Sequence, residues 1–312
     1  LDPFWNSKGL ISPEDFRKFC APTVALLRFK KRVYYNDETF AGSAEVYNFS
    51  EASLKNAAVK WQLADAEGKI LKTGMLKGKS IGNNGVFPVG EFTCALPVGD
   101  EPRKLTVRLT VGKDIENSWD IWVYPRHQEL MISTDEVLYT KVYDEKARQQ
   151  LQAGKKVVLI PQPNKVKGRR SVFHNHFWNP VMFKWEPKTL GCLIHANHPA
   201  FGDFVTESHL DWQWWDILTY AKVIEMMDTP DELRPFIQTI DSFDRNHKLG
   251  IGFEARVNGG KLLVLAMDTQ KDMEKRLASR QLLQSIDRYV KGGHFEPEVE
   301  LSESFIKSFM ME

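Results

Sequence analysis

The sequence predicts a multidomain protein, β followed by α/β: an immunoglobulin-like β-sandwich and then an α/β domain. Two observations carry this reading. Between Thr23 and Pro125, short apolar and β-branched runs recur with turn formers between them. After Pro125 apolar runs alternate with helical patterns, which implies strand–helix–strand units. The expected organisation is a leader over 1–22, the sandwich over 23–126 and the α/β domain over 127–312.

The leader is punctuated by Pro3, Gly9, Pro13 and Pro22. Ser12 followed by Pro13, Glu14 and Asp15 is an N-cap with proline at the first helical position, so one short helix to about Cys20 is expected. Phe4, Trp5, Phe16 and Phe19 make the leader too aromatic for a free tail. Strands are expected at Val24–Phe29, Arg32–Tyr35, Ala44–Phe49, Ala57–Ala64, Ile70–Met75, Glu91–Leu96, Leu105–Val111 and Ser118–Tyr124. Period-two alternation is clearest where Leu105, Val107, Leu109 and Val111 point one way and Thr106, Arg108 and Thr110 the other. Asn36-Asp37, Glu67-Gly68, Gly82-Asn83-Asn84-Gly85 and Gly99-Asp100 separate the runs.

In the second part, Leu130–Ile132 reads as a strand. Asp144 caps a helix that Gly154 stops, and Lys156–Ile160 is a strand ended by Pro161. Leu190–Ile194 is a buried-strand candidate. Trp214, Ile217, Leu218, Ala221 and Ile224 fall at helical spacing. Leu249–Val257 and Lys261–Met267, joined by Asn258-Gly259-Gly260, predict a hairpin. Lys271–Val290 predicts a charged amphipathic helix with Met273, Leu277, Leu282, Leu283, Ile286 and Val290 inward.

At 312 residues, 42% hydrophobic and 27% charged, the composition is that of a globular protein. Forty-two basic against 41 acidic residues leave +1, which gives no electrostatic reason to expect nucleic acid or a membrane as partner. No apolar run approaches the roughly 20 residues that span a bilayer. The opening LDPFWNSKGL has no basic n-region, apolar h-region or initiator Met, so a processed or truncated product is expected. Cys20, Cys94 and Cys192 are too widely spaced to suggest a disulfide framework or a zinc site.

Residues 174–217 concentrate five of the eight histidines and five of the nine tryptophans. Such residues bring polar handles that need partners when buried, so the stretch marks a site or an interface. His174-x-His176 and His195-x-x-His198 offer imidazoles but no fixed carboxylate or thiolate ligand, so neither a metal nor a cofactor is expected, and HNH here is not evidence for a nuclease. Cys192, with His195, His198 and Glu207 downstream, resembles the nucleophile of class I glutamine amidotransferases. The second small residue of their elbow is missing, because Leu193-Ile194 follow. Glu207, Asp211 and Asp216 are close in sequence, but nothing marks one as the sheltered acid that glycosidic chemistry needs. The aromatic set carries the best functional claim. Sugar C–H faces pack on indole rings while Asn, Asp and His satisfy hydroxyls. The carbohydrate-binding or interface candidates are therefore Trp212, Trp214, Trp215, Asp211 and Asp216, with His174, Asn175, His176 and Trp178 beside them. Trp212 and Trp215 share a face at i, i+3, and Trp214 lies elsewhere.

LDPFWNSKGLISPEDFRKFCAPTVAL, SWDIWVYP, TLGCLIHANHPAF, SHLDWQWWD and LLVLAMDTQKDMEKRLASRQLLQSI together resemble the C-terminal part of bacterial glycoside hydrolase family two proteins with a sugar-binding domain, β-galactosidase-like in type. The resemblance implies a longer parent with a catalytic (β/α)8 barrel that is absent here and holds both catalytic glutamates, so no catalytic residue carries over. It also implies that the later half is related to the glutamine amidotransferase-like fold without its nucleophile, and that the parent is periplasmic or secreted. The expected function is a non-catalytic accessory region that supports the barrel and contributes to sugar binding. The alternatives are an independent lectin-like module and an amidotransferase-like enzyme using Cys192.

Overall fold

Alternation along one strand shows how the first unit closes on itself. In a computed structural model, which describes residues 2–126, 131–173, 189–242 and 245–311, Leu105, Val107, Leu109 and Val111 are all buried, and the residues between them are half-exposed. They belong to β7 (Arg103–Val111), one of eight strands in a compact unit spanning Leu1–Arg126. Before the strands comes the short helix α1 (Pro13–Arg17), whose first turn is capped by Ser12 Oγ accepting from Asp15 N at 3.0 Å.

The other strands are β1 (Thr23–Arg28), β2 (Val33–Tyr35), β3 (Thr39–Asn48), β4 (Leu54–Ala64), β5 (Ile70–Ile81), β6 (Gly85–Ala95) and β8 (Ile115–Tyr124). They form one sheet of order β1-β3-β6 and another of order β2-β8-β7-β4-β5. Ala25, Phe40, Val46 and Phe92 of the first sheet share one core with Val59, Leu63, Leu105 and Ile121 of the second. Two sheets facing each other over such a core make a β-sandwich.

Several strands are longer than the sequence suggests, and two gain most: β5 continues to Ile81 and β6 begins at Gly85. Glycines and a proline hide them. Trp61 lies across Gly74, where a Cβ would come within 2.6 Å of the indole, so that glycine makes room for the ring. Pro88 is accommodated because β6 is an edge strand, where a missing N–H breaks no central ladder.

The second unit, His127–Glu312, is mixed. Its elements are β9 (Val137–Thr140), α2 (Glu145–Gln152), β10 (Lys156–Leu159), β11 (Arg169–Arg170), β12 (Gly191–Ile194), α3 (Trp214–Leu218), β13 (Lys222–Glu225), β14 (Ile237–Ile240), β15 (Leu249–Val257), β16 (Gly260–Leu265), α4 (Leu277–Lys291) and α5 (Glu303–Phe309). The eight-stranded sheet runs β11-β13-β15-β16-β10-β9, with β14 also on β15 and β12 on β14. Among the described strands of this unit, β10 pairs parallel with β9 and with β16, and the other strand pairs are antiparallel. The described chain is thus mostly β, with several sheets and few helices.

Helices cover both faces of the parallel strands. Val157 and Leu159 meet Ala147 and Leu151 of α2, and Phe305, Ile306 and Phe309 of α5, in one cluster. Helix α4 lies over the other face: its Asp287 accepts from Tyr139 Oη at 2.6 Å, and its Tyr289 Oη donates to Glu254 of β15 at 2.9 Å.

The strand expected at Leu130–Ile132 is corrected: Met131 and Ile132 are not in a strand, Leu130 lies outside the described residues, and the first strand is Val137–Thr140. The helical spacing from Trp214 to Ile224 also breaks. The helix ends at Leu218, and Lys222–Glu225 is a strand whose Ile224 pairs with Gly250. The helix expected from Lys271 starts at Leu277: Asp272 takes a left-handed φ of 51°, and Arg276, at φ −95° and ψ 74°, is also outside the helical region. Asp144 does cap α2, accepting from Ala147 N at 3.0 Å.

The hairpin closes one residue earlier than expected. Val257 pairs with Gly260, and the two-residue loop Asn258-Gly259 has φ of 50° and 84°, the double left-handed conformation of a type I′ turn. Gly260 is needed for another reason. A Cβ there would stand 2.6 Å from Leu151 Cα, 2.6 Å from Leu151 O and 2.7 Å from Lys155 O, all backbone atoms. Gly260→Ala is therefore expected to cost about 1–3 kcal/mol or more, read as a lower urea midpoint for the second unit. An unchanged midpoint would show that the contact yields freely.

Candidate functional site

The aromatic stretch divides by burial. Asp211 Oδ1 accepts from Gln213 N at 3.1 Å and Oδ2 from Gln213 Nε2 at 3.0 Å, which fixes the turn into α3. That turn sends Trp214 inward. It is fully buried, its Nε1 donates to Thr206 Oγ1 at 2.9 Å, and its ring meets Phe201 and Phe204 edge to face. Trp212 and Trp215 point outward, 56% and 52% exposed, and Phe173 packs 5.6 Å from Trp212. These two rings, at i, i+3 in sequence, are the accessible large apolar groups of the stretch.

Asp216 is turned away from those rings. Its carboxylate accepts from Ser279 Oγ at 2.6 Å and from the backbone N–H groups of Ala278 and Ser279, so it caps α4 from another element. Arg276 precedes α4 and makes no side-chain cap itself. Its guanidinium donates to the Asp216 carbonyl at 3.0 Å and lies over Tyr220, 4.4 Å from the ring centroid. Burial pushes the Asp216 carboxyl up to about 6, and the Ser279 hydrogen bond and the Arg276 charge oppose the shift. Trp214 and Asp216 are therefore occupied in the interior, and a ligand reaching this stretch meets Trp212 and Trp215. His174, Asn175, His176 and Trp178 lie outside the described residues.

Cys192 is buried in β12, with Sγ 3.7 Å from Thr239 Oγ1. Burial pushes its thiol up to about 12, so it stays protonated at neutral pH and lacks the thiolate that attacks a substrate. Histidine 198 is engaged with other groups. His198 Nδ1 accepts from Ala200 N at 3.2 Å, which leaves the proton on Nε2, 3.7 Å from Glu254 Oε1. Its ring stacks on Phe236 and meets Tyr289 edge-on. Burial lowers the pKa of His195, and the neighbouring His198 and Arg234 add to the effect. Glu207 is exposed. Among the described residues no group of three His, Cys, Asp or Glu side chains could hold a metal ion.

Sequence reasoning passed over a cleft of about 630 Å³ in the second unit, with Tyr139, Thr140 and Lys141 on one side and Arg280 on the other. Its lining comes from the end of β9, the segment after β10, the segment before α4 and α4 itself, which are far apart in the chain, so no local motif marks it.

These features define a two-unit, mostly β protein with a buried thiol and an outward tryptophan pair. The chain belongs to the family described as a domain of unknown function, DUF8487, which matches residues 138–311. Residues 38–125 match a second one, described as a domain of unknown function, DUF8488. No curated protein matches the chain.

Weak structural neighbours include a β-glucuronidase from Parabacteroides merdae, 15% identical at TM-score 0.24 over 44% of this chain and 21% of that one. A sporulation control protein from Bacillus subtilis is 14% identical at TM-score 0.26, over 34% of this chain and half (50%) of its own length. A CARDB domain from Pyrococcus furiosus is 12% identical at TM-score 0.26, over 33% of this chain and 94% of that one. No helix among the described residues is long and apolar enough to cross a membrane.

Proposed function

We propose that the chain is a non-catalytic accessory region of a carbohydrate-active glycoside hydrolase from the periplasm or the cell exterior. In this reading the sandwich is immunoglobulin-like, and the second unit is related to the glutamine amidotransferase-like fold without its nucleophile. The region buttresses a catalytic barrel elsewhere in the parent protein. Its working surface is the Trp212–Trp215 face, which packs on that barrel and takes the apolar face of a sugar. The observation that carries the reading is the division of the aromatic stretch, with Trp214 sunk as an anchor and two indoles held half-exposed beside it. The buried, protonated Cys192 supports it by weighing against the amidotransferase-like alternative. The sequence resemblance across nearly the whole chain supplies the class of parent.

The experiment is an assay of the 312-residue chain against a panel of aryl glycosides that includes galactosides and glucuronides. Turnover indistinguishable from the uncatalysed background is expected. Hydrolysis above background, abolished by Glu207→Gln or Asp211→Asn, would overturn the reading and place acid–base chemistry in this chain.

A further inference from the structure

We propose that the cleft at the carboxyl ends of the parallel strands is a binding site for a small organic anion: a molecule with a carboxylate or phosphate head and an apolar body. Its position follows from the chain path. In the parallel registers Leu159 is level with Thr140 on one side and with Val264 on the other, so β9, β10 and β16 end along one edge. From β9 the chain enters α2, which packs on the face of Val157 and Leu159. From β16 it enters α4, which lies over the opposite face, against Tyr139 and Glu254. β9 and β16 flank β10, and their chains leave for opposite faces of the sheet, which opens a crevice outside the carboxyl ends of the three strands, where ligands bind in open sheets of this kind. At about 630 Å³ this crevice is the size of a small-molecule pocket.

The lining sets the chemistry of the ligand. Among the described residues, Lys141 and Arg280 bring positive charge to the lining, which holds no described carboxylate. The carboxylate beneath it, Asp287, accepts from Tyr139 Oη at 2.6 Å and from Lys291 Nζ at 2.9 Å. Ile160 and Leu283 form an apolar floor, and Met131 and Met273 supply adaptable walls. The rim loops after β10 and β16 are joined by Gln162 Nε2 donating to Gln270 Oε1 at 2.5 Å. Two cations over an apolar floor favour an amphipathic anion over a bare inorganic ion or a neutral molecule.

The test uses the full chain with isotope-labelled methionine methyl groups. Two of the nine methionines line the cleft, and Met131→Leu and Met273→Leu assign their signals. The probes are benzoate, hexanoate, hexyl phosphate, inorganic phosphate and benzyl alcohol, each titrated to about 20 mM. At least one organic anion is expected to shift the Met131 and Met273 signals saturably. Inorganic phosphate and benzyl alcohol are expected to bind at least about tenfold more weakly. A response to the two carboxylates alone assigns a carboxylate head, and a response to hexyl phosphate alone assigns a phosphate head. Exposed Lys141 can be changed without touching the core, so Lys141→Met is expected to weaken binding several-fold and Lys141→Arg to restore it. Silence at both methionines with every organic anion, equal binding of benzyl alcohol, or indifference to Lys141→Met would each overturn the proposal.

Discussion

Trp214→Ala is expected to remove about 3–5 kcal/mol from the second unit, the range for truncating a fully buried tryptophan. The ring has no solvent exposure, and Phe201 and Phe204 meet it edge to face, so neither neighbour can fill its volume by a rotamer change alone. Its loss would also leave the Thr206 hydroxyl without the indole N–H that now donates to it. Urea unfolding is the measurement, with Trp212→Ala as control. That residue is 56% exposed, so its removal is expected to stay within about 0.5 kcal/mol of wild type. Equal effects at the two positions would show that the aromatic stretch is not divided into anchor and exposed pair.

The second large effect is a pH dependence centred on Asp216. Its folded-state pKa, about 6, lies above the ordinary 3.8, because burial outweighs the Ser279 hydrogen bond and the Arg276 charge. The protonated form therefore favours the folded state. The stabilising contribution is fully present below about 3.8 and is lost as pH rises through about 6. Two pKa units correspond to a ceiling of roughly 3 kcal/mol.

Other carboxylates act in the opposite sense. Asp241 is held below its usual range even though burial pushes it up, because Arg245 and the His247 and Ser242 N–H groups stabilise its charged form. The informative quantity is thus the difference between wild type and Asp216→Asn across pH 4–8. Relative to the variant, wild type is expected to lose stability with rising pH, most steeply between the two pKa values. A constant difference, or one of opposite slope, would place the titration elsewhere.

The fold was legible where one principle acted alone. Period-two burial marked β7, Asp144 marked the start of α2, and Asn258-Gly259 marked the hairpin. It was illegible where tertiary structure overrode local preference. Gly74 lowers strand propensity in β5, but it makes room for the Trp61 ring. Lys271 to Lys275 look helical, yet α4 starts where Asp216, 61 residues before Leu277 by their numbers, caps it. The same limit applies to the site. Spacing alone separated Trp214 from Trp212 and Trp215. Nothing local revealed that Asp216 is a cap, or that Thr140, Ile160 and Arg280 line one cleft.

The most direct measurement concerns what the protein works with. Intrinsic tryptophan fluorescence should be titrated with galactosides, glucuronides and plant oligosaccharides, in wild type and in Trp212→Ala/Trp215→Ala. If the exposed pair is the working surface, at least one sugar class gives a saturable change in wild type, with a midpoint on the order of 1 mM, and the double variant gives none. A flat wild-type trace for every sugar would contradict the role in sugar contact. A response that survives the double substitution would move the site away from Trp212 and Trp215.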